Sequence, residues 1–218
     1  MALPTLHHRQ LILRGVRMRD AKAMERALGD NRAWLSPWEA TTPIIRTGIF
    51  DARASIRSLL RAAKEGVALP LVMVADGELV GQLNVSQITY GSLSSATLGY
   101  WVIEKVAGQG LTSLAVAMAS DHLFFETGLH RVEICIRPEN TASLRVVEKL
   151  GFRYEGLRRR FIHIDRAWAD HFCFALVVEE VPGGILARYE KGRVPPGVAV
   201  IPDTDWVKAR NPLPLPPL

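Results

Sequence analysis

The segment from Tyr100 to Thr112 constrains the fold most. An apolar strand, Tyr100-Trp101-Val102-Ile103, runs into a turn holding Gly108 and Gly110. The turn opens a segment in which Leu111, Leu114, Ala115, Met118 and Phe125 recur at helical spacing. Such a handover places a helix N-terminus, with unpaired N–H groups and partial positive charge, at the end of a sheet. Glycines there let a pyrophosphate approach those donors closely, with Lys105 adding a charge and Thr112 a hydroxyl. The turn is not a Walker A loop, because it lacks Gly-Lys-Ser/Thr, and Ser113 stands where a Rossmann fingerprint needs its third glycine. Taken alone, Gly-x-Gly also fits an ordinary strand-to-helix turn.

Around this segment the hydrophobic period alternates between 2 and 3.6. Gln10–Val16 reads as a first strand, and Asp20 as the N-cap of a helix to Leu28. A loop rich in Trp and Pro follows, from Trp34 to Pro43, and then a helix over Asp51–Glu65. Leu69–Val74 and Leu79–Ile88 are strands joined by Asp76-Gly77, a hairpin signal, and Ala96–Ile103 is a third. After the helix from Gln109 to Thr127 come a strand around Val132, Ile134 and Ile136 and a helix over Thr141–Leu150. Phe152–Glu155 and His171–Val178 read as the last strands. Strand, helix, strand, helix, strand after a meander is an α/β sheet of mixed direction.

The 218 residues, 48% of them hydrophobic, suffice for one domain with a sizeable core. Residues 1–180 are expected to form it, with 181–218 as a Pro-rich extension. Of the 13 prolines, those concentrated beyond Val181 predict a tail that forms neither sheet nor helix, anchored in part by Trp206.

The net charge of +5 fits an anionic ligand but does not argue for nucleic acid. The run Arg158-Arg159-Arg160 reads as a solvated face. Cys135 and Cys173 lie in apolar strand-like stretches and are expected as buried free thiols. No Cys/His spacing suggests a metal, and His7-His8 is too isolated to be a ligand set. No signal peptide or membrane-spanning stretch is evident, so the cytoplasm is the expected compartment, without membrane or nucleic-acid partners.

Downstream stands Asn140-Thr141-Ala142-Ser143, followed by Lys149-Leu150-Gly151-Phe152. This Asn-x-x-Ser…Lys-Leu-Gly-Phe pattern, together with Lys105-Val106-Ala107-Gly108-Gln109-Gly110, resembles the GNAT acetyltransferases. The glycine motif of that family usually begins with Gln or Arg where Lys105 stands. Both motifs occur in the family's order over roughly residues 9–179, and the stretch Asn31-Arg32…Leu35-x-Pro37-Trp38-Glu39 is similar to the RimJ/RimL branch, which acetylates ribosomal-protein N-termini. The resemblance implies the GNAT fold: a central, mixed, mostly antiparallel sheet with helices on both faces and a splayed acetyl-CoA-binding cleft.

It also implies site residues. Acetyl-CoA would be the co-substrate, with no metal. Gly108, Gly110, Lys105 and the amides of Gln109, Leu111 and Thr112 would hold its pyrophosphate. Main-chain groups of Trp101 and Val102 and the side chain of Asn140 would hold the pantetheine arm. Ser143 would protonate the departing thiolate, and the Val102 amide would donate to the oxyanion. Each has a simpler reading beside it. Asn140 is a good N-cap, Ser143 a first-turn residue, Gly151 a left-handed C-cap and Trp101 a core aromatic.

Trp34, Trp38 and Glu39 would line the acceptor side, where Glu39 could receive a cationic amine; the two Trp residues fit a core plug as well. Ile162 occupies the position of the glutamate that RimL-type enzymes use as base, which leaves Glu104, His163 and Asp165 as alternatives. The implied activity is direct acetyl transfer to the N-terminal α-amine of a protein, a ribosomal protein in a RimJ-like case. A small-amine acetyltransferase acting on a polyamine, an aminoglycoside or an amino acid is the alternative, as is a non-catalytic acetyl-CoA-binding module.

Overall fold

The computed structural model describes residues 3–43 and 51–211. Eight strands form one open sheet in the order β1-β2-β3-β4-β5-β6-β8-β7. They are β1 Thr5–His8, β2 Leu11–Gly15, β3 Leu69–Ala75, β4 Glu78–Thr89, β5 Ser95–Val102, β6 Arg131–Ile136, β7 Arg153–Ile164 and β8 Ala167–Val177. All neighbours are antiparallel except β5 and β6. The Asp76-Gly77 hairpin forms as its sequence predicts, with both residues at positive φ and Ala75 facing Glu78.

Helices cover both faces of the sheet. On one side, α1 (Ala21–Asp30) and α3 (Ala52–Lys64) bury Met24 and Ile56 against Val72. On the other, α4 (Leu111–Asp121) and α5 (Thr141–Leu150) pack over the larger core of Leu71, Leu83, Leu98, Ile134 and Phe174. A central strand with helices on both faces buries nearly every residue, as β3 does. The Asp51 carboxylate caps α3 by accepting from the Ala54 N–H at 3.0 Å. Asp20 does not cap α1 with its side chain; it accepts instead from the Arg14 guanidinium and the Arg17 N–H, each at 2.8 Å.

Several boundaries differ from the sequence reading. The first strand is a short hairpin, β1–β2. The helix expected to run to Thr127 is α4 only to Asp121, followed by a π-turn over His122–Glu126. The last two strands are much longer than expected and form one hairpin turning at Asp165-Arg166. Arg158 on β7 meets Glu133 on β6 and Arg159 meets Asp170 on β8, each at 2.7 Å; Arg158 stays exposed, as a solvated face predicts, while Arg159 is half-buried. Cys135 and Cys173 face each other on β6 and β8, but Cys135 is only half-buried. Their sulfurs stand 2.8 Å apart beside Glu133, whose carboxylate also receives Arg131 and Arg158.

The segment beyond Val181 corrects an expectation. It contains two helices, α6 (Ile185–Glu190) and α7 (Asp203–Arg210), each in a stretch free of proline. The prolines break the chain between helices and do not prevent them. Asp121 at the end of α4 accepts from the N–H groups of Ile185 and Leu186 at 2.6 and 3.1 Å, so a side chain from the main body caps α6. Trp206 is anchored as expected, edge-on to Phe172 at 4.8 Å between ring centroids. The prolines from 212 onward lie outside the described residues.

Candidate functional site

The glycine turn has the open geometry its sequence predicts. Gly108 and Gly110 take φ of 78° and 82°, a left-handed conformation that side chains disfavour. Gly110 is the N-cap of α4 and no side chain caps that end. The first N–H groups of the helix are therefore left for a ligand. A Cβ placed on Gly108 would meet nothing within 4 Å, and one on Gly110 only the Tyr189 hydroxyl at 3.8 Å. Lys105 and Gln109 are exposed beside the turn, with the Gln109 amide donating to the Lys105 carbonyl at 3.0 Å. The Leu111 side chain is buried in the core, so its contribution is its backbone.

Beside this turn the sheet splits. β5 and β6 pair only from Ser95 opposite Arg131 to Thr97 opposite Glu133. Beyond that the strands diverge, leaving one edge of β5 unpaired along Leu98–Val102. Its register with β4 decides which main-chain groups face the gap. Ile103 donates to the Val80 carbonyl at 2.9 Å, and Gly81 lies opposite Val102. Hydrogen-bonded and non-bonded pairs alternate across antiparallel strands, so the Trp101 backbone points to β4 and those of Tyr100 and Val102 point into the cleft. The Trp101 main chain, expected at the pantetheine arm, is thus turned toward β4, while Tyr100 and Val102 present theirs to the gap. The Trp101 side chain lies on the α1/α3 face, its indole donating to Gln82 at 3.2 Å.

The opposite wall of the cleft is the start of α5. Asn140 caps this helix, its side-chain oxygen accepting from the Ser143 N–H at 3.0 Å. Gly151 ends it in the left-handed conformation with Phe152 fully buried behind. The cap therefore orients Asn140 and Ser143 together at the cleft.

A loop roofs the open end. The Trp34 indole, from the short helix α2 (Arg32–Leu35), donates to the Val102 carbonyl at 3.0 Å. Arg137, just after β6, donates to the Pro37 carbonyl at 2.8 Å and stacks over Trp38 at 5.8 Å. Thr41 donates its N–H to the His163 carbonyl at 2.8 Å. The loop is thus pinned to β5, to the end of β6 and to β7, spanning the splay. Trp34 and Trp38 are half-buried here rather than plugged into the core. Glu39 is already paired with Arg32 at 2.6 Å.

The glycine turn, the splayed edge of β5 and the capped start of α5 together suit a long anionic thioester laid along β5. The family model described as an acetyltransferase (GNAT) domain matches residues 10–153. The chain belongs to the GNAT acetyltransferase family. It is an N-acetyltransferase with acetyl-CoA as co-substrate, and its open mixed sheet is the GNAT fold. It is similar to a solved structure described as Mycobacterium smegmatis RimJ in complex with CoA-disulfide, at 38% identity and TM-score 0.80 over 88% of this chain and 94% of that one. It is 29% identical to the [Ribosomal protein uS5]-alanine N-acetyltransferase of Escherichia coli (strain K12), over 80% of this chain and 91% of the relative. It is 37% identical to the "Probable N-acetyltransferase YjcK" of Bacillus subtilis (strain 168) over 47% of this chain, a match spanning 57% of that relative's length.

For this GNAT enzyme the base candidates separate by position. Asp165 sits exposed at the hairpin tip, and Glu104 is exposed in the turn after β5. His163 is buried, with Nδ1 2.7 Å from the Thr41 hydroxyl under the roofing loop. Sequence reasoning missed His171, which is buried on β8 with its Nδ1 3.0 Å from the Ala169 carbonyl. Burial holds this imidazole below its usual pKa, favouring the neutral form. A histidine interrupting an apolar strand is the one signal that could have flagged it. No helix among the described residues is long and apolar enough to cross a membrane.

Proposed function

We propose that this enzyme acetylates the N-terminal α-amine of a protein, in the manner of RimJ, by direct transfer from acetyl-CoA. The observation that carries this reading is the 38% identity to the Mycobacterium smegmatis RimJ over most of both chains. The alanine acetyltransferase of Escherichia coli, named for ribosomal protein uS5, supports a protein acceptor. The site chemistry agrees. An α-amine has pKa near ~7.8 and a lysine near ~10.4, so an α-amine is partly neutral at physiological pH and needs only modest help. A site whose carboxylate base candidates, Glu104 and Asp165, are both exposed rather than buried suits that acceptor better than lysine.

In this reading Gly108, Gly110, Lys105 and the amides of Gln109, Leu111 and Thr112 hold the pyrophosphate, while Tyr100, Val102 and Asn140 line the pantetheine arm. The Val102 N–H points into the cleft and donates to the carbonyl oxygen as negative charge develops there. Ser143 gives its proton to the sulfur as the C–S bond breaks. Trp34 and Trp38 shape the acceptor entrance. Glu39, held by Arg32, stiffens that loop and does not receive the amine. The compartment is the cytoplasm, where ribosomal proteins are made.

Peptides carrying one kind of free amine, either an N-terminal Ala or Ser or an internal lysine, separate the acceptors by mass spectrometry. Acetylation of the N-termini with little lysine modification is expected. Transfer to lysine alone, or to small amines alone, overturns the acceptor assignment and leaves the family untouched. CoA binding without any transfer would mark a non-catalytic module.

A further inference from the structure

β5 alternates its side chains across the sheet, and Tyr100 shares the α4/α5 face with Leu98 and Val102. Its ring is half-buried, but its hydroxyl is shut off from solvent and has no hydrogen-bond partner. Native structures rarely leave such a group unpaired, because phenylalanine would fill the same space without the desolvation cost. Burial raises the phenol pKa, Ser143 is the one side chain that acts on this hydroxyl to hold it down, and no hydrogen bond joins the two. Meanwhile the Ser143 N–H is committed to the Asn140 cap, which fixes the backbone and leaves the serine hydroxyl to orient by itself.

We propose that Tyr100 is a positioning residue for Ser143, its hydroxyl donating to the Ser143 oxygen so that the serine proton points at the leaving sulfur. The inference rests on the role assigned to Ser143 above. Ser143 has one proton, and giving it to sulfur leaves negative charge on the serine oxygen, which a hydrogen bond accepted from a neighbour stabilises while turning the proton toward the sulfur. Tyr100 is the donor the site holds in reserve. As the amine nitrogen bonds to the acetyl carbon and the C–S bond breaks, its electron pair stays on sulfur and the Ser143 proton moves there. The amine loses its proton to water, and Ser143 regains one from water. The hydrogen bond from Tyr100 holds the serine oxygen through that interval. Tyr100 keeps its own proton, because burial pushes the phenol well above its usual range.

The test is a double-mutant cycle on the full chain, with Tyr100→Phe, Ser143→Ala and both together. Tyr100→Phe is expected to lower kcat about ten-fold while the KM for acetyl-CoA stays within about two-fold, since the bond matters only as charge develops. Combined with Ser143→Ala it should cost nothing further, because the partner it serves is gone. Removing an unpaired hydroxyl should leave the melting temperature at or above that of the wild type. Wild-type kcat in Tyr100→Phe, or losses that multiply in the double variant, would overturn the proposal while Ser143 keeps its role. A melt well below wild type would also overturn it, because the hydroxyl would then have a structural partner. Wild-type turnover in Ser143→Ala would remove the serine role itself, and the Tyr100 proposal with it.

Discussion

At the scale of single residues, Gly110 carries the clearest expectation. Its positive φ and the open space around it leave the α4 N-terminus free of any side-chain cap, so Gly110→Glu adds strain, bulk and a like charge where the pyrophosphate is proposed to bind. Acetyl-CoA binding measured by calorimetry should disappear in a variant that remains folded. Unchanged affinity would remove the pyrophosphate assignment. This position was legible in the sequence because a turn and its helix are local. Tyr100 and His171 were not, since their meaning depends on strands and helices distant in the chain. His171 also predicts a pH dependence. Its folded pKa lies below the ordinary value of about 6.5, so above that value both folded and unfolded chains leave it neutral. As pH falls through that value the unfolded chain takes up the proton first and stability declines. Urea midpoints should drop on acidification below about pH 6.5, and less steeply in His171→Gln. The half-buried His122, shifted the same way by desolvation, accounts for part of any remaining slope.

At the scale of elements, a helix was readable when its cap lay beside it in sequence and unreadable when the cap came from afar. Asn140 and Gly151 announce both ends of α5. The cap of α6 is Asp121, 64 residues earlier, and nothing near Ile185 signals it. The β7–β8 hairpin was shortened for a related reason. Its outer half carries Arg158-Arg159-Arg160, whose partners Glu133 and Asp170 on other strands the local sequence does not show. Asp121→Ala should leave two buried N–H groups unpaired and destabilise the protein by about 1–2 kcal/mol, measured by urea unfolding. Asp121→Asn keeps an acceptor and should cost less. Equal losses in both would mean that charge, not the hydrogen bonds, secures α6.

At the scale of the whole molecule, the cleft exists because β6 leaves β5 after three paired residues and β8 inserts between β6 and β7. The sequence predicted the mixed sheet, but strand order depends on contacts that no local pattern encodes. The segment after Val181 is tied to both ends of this sheet. Glu190 accepts from Arg9 at the β1–β2 turn at 2.9 Å and stands 3.0 Å from the His8 ring nitrogen. Asp205 accepts from the Tyr154 hydroxyl on β7 at 2.8 Å. Ile185 is fully buried in the same core as α4 and the central strands. An extension joined this way should unfold with the domain it covers. Ile185→Ala removes buried methyl groups and is expected to cost about 2–4 kcal/mol in one cooperative transition. The Trp206 fluorescence change should coincide with the loss of helical circular dichroism, because its ring packs on Phe172 in that core. If the Trp206 environment changes first, in a separate step that leaves most of the circular dichroism intact, the segment after Val181 melts as its own unit, and its packing adds to the enzyme without holding it together.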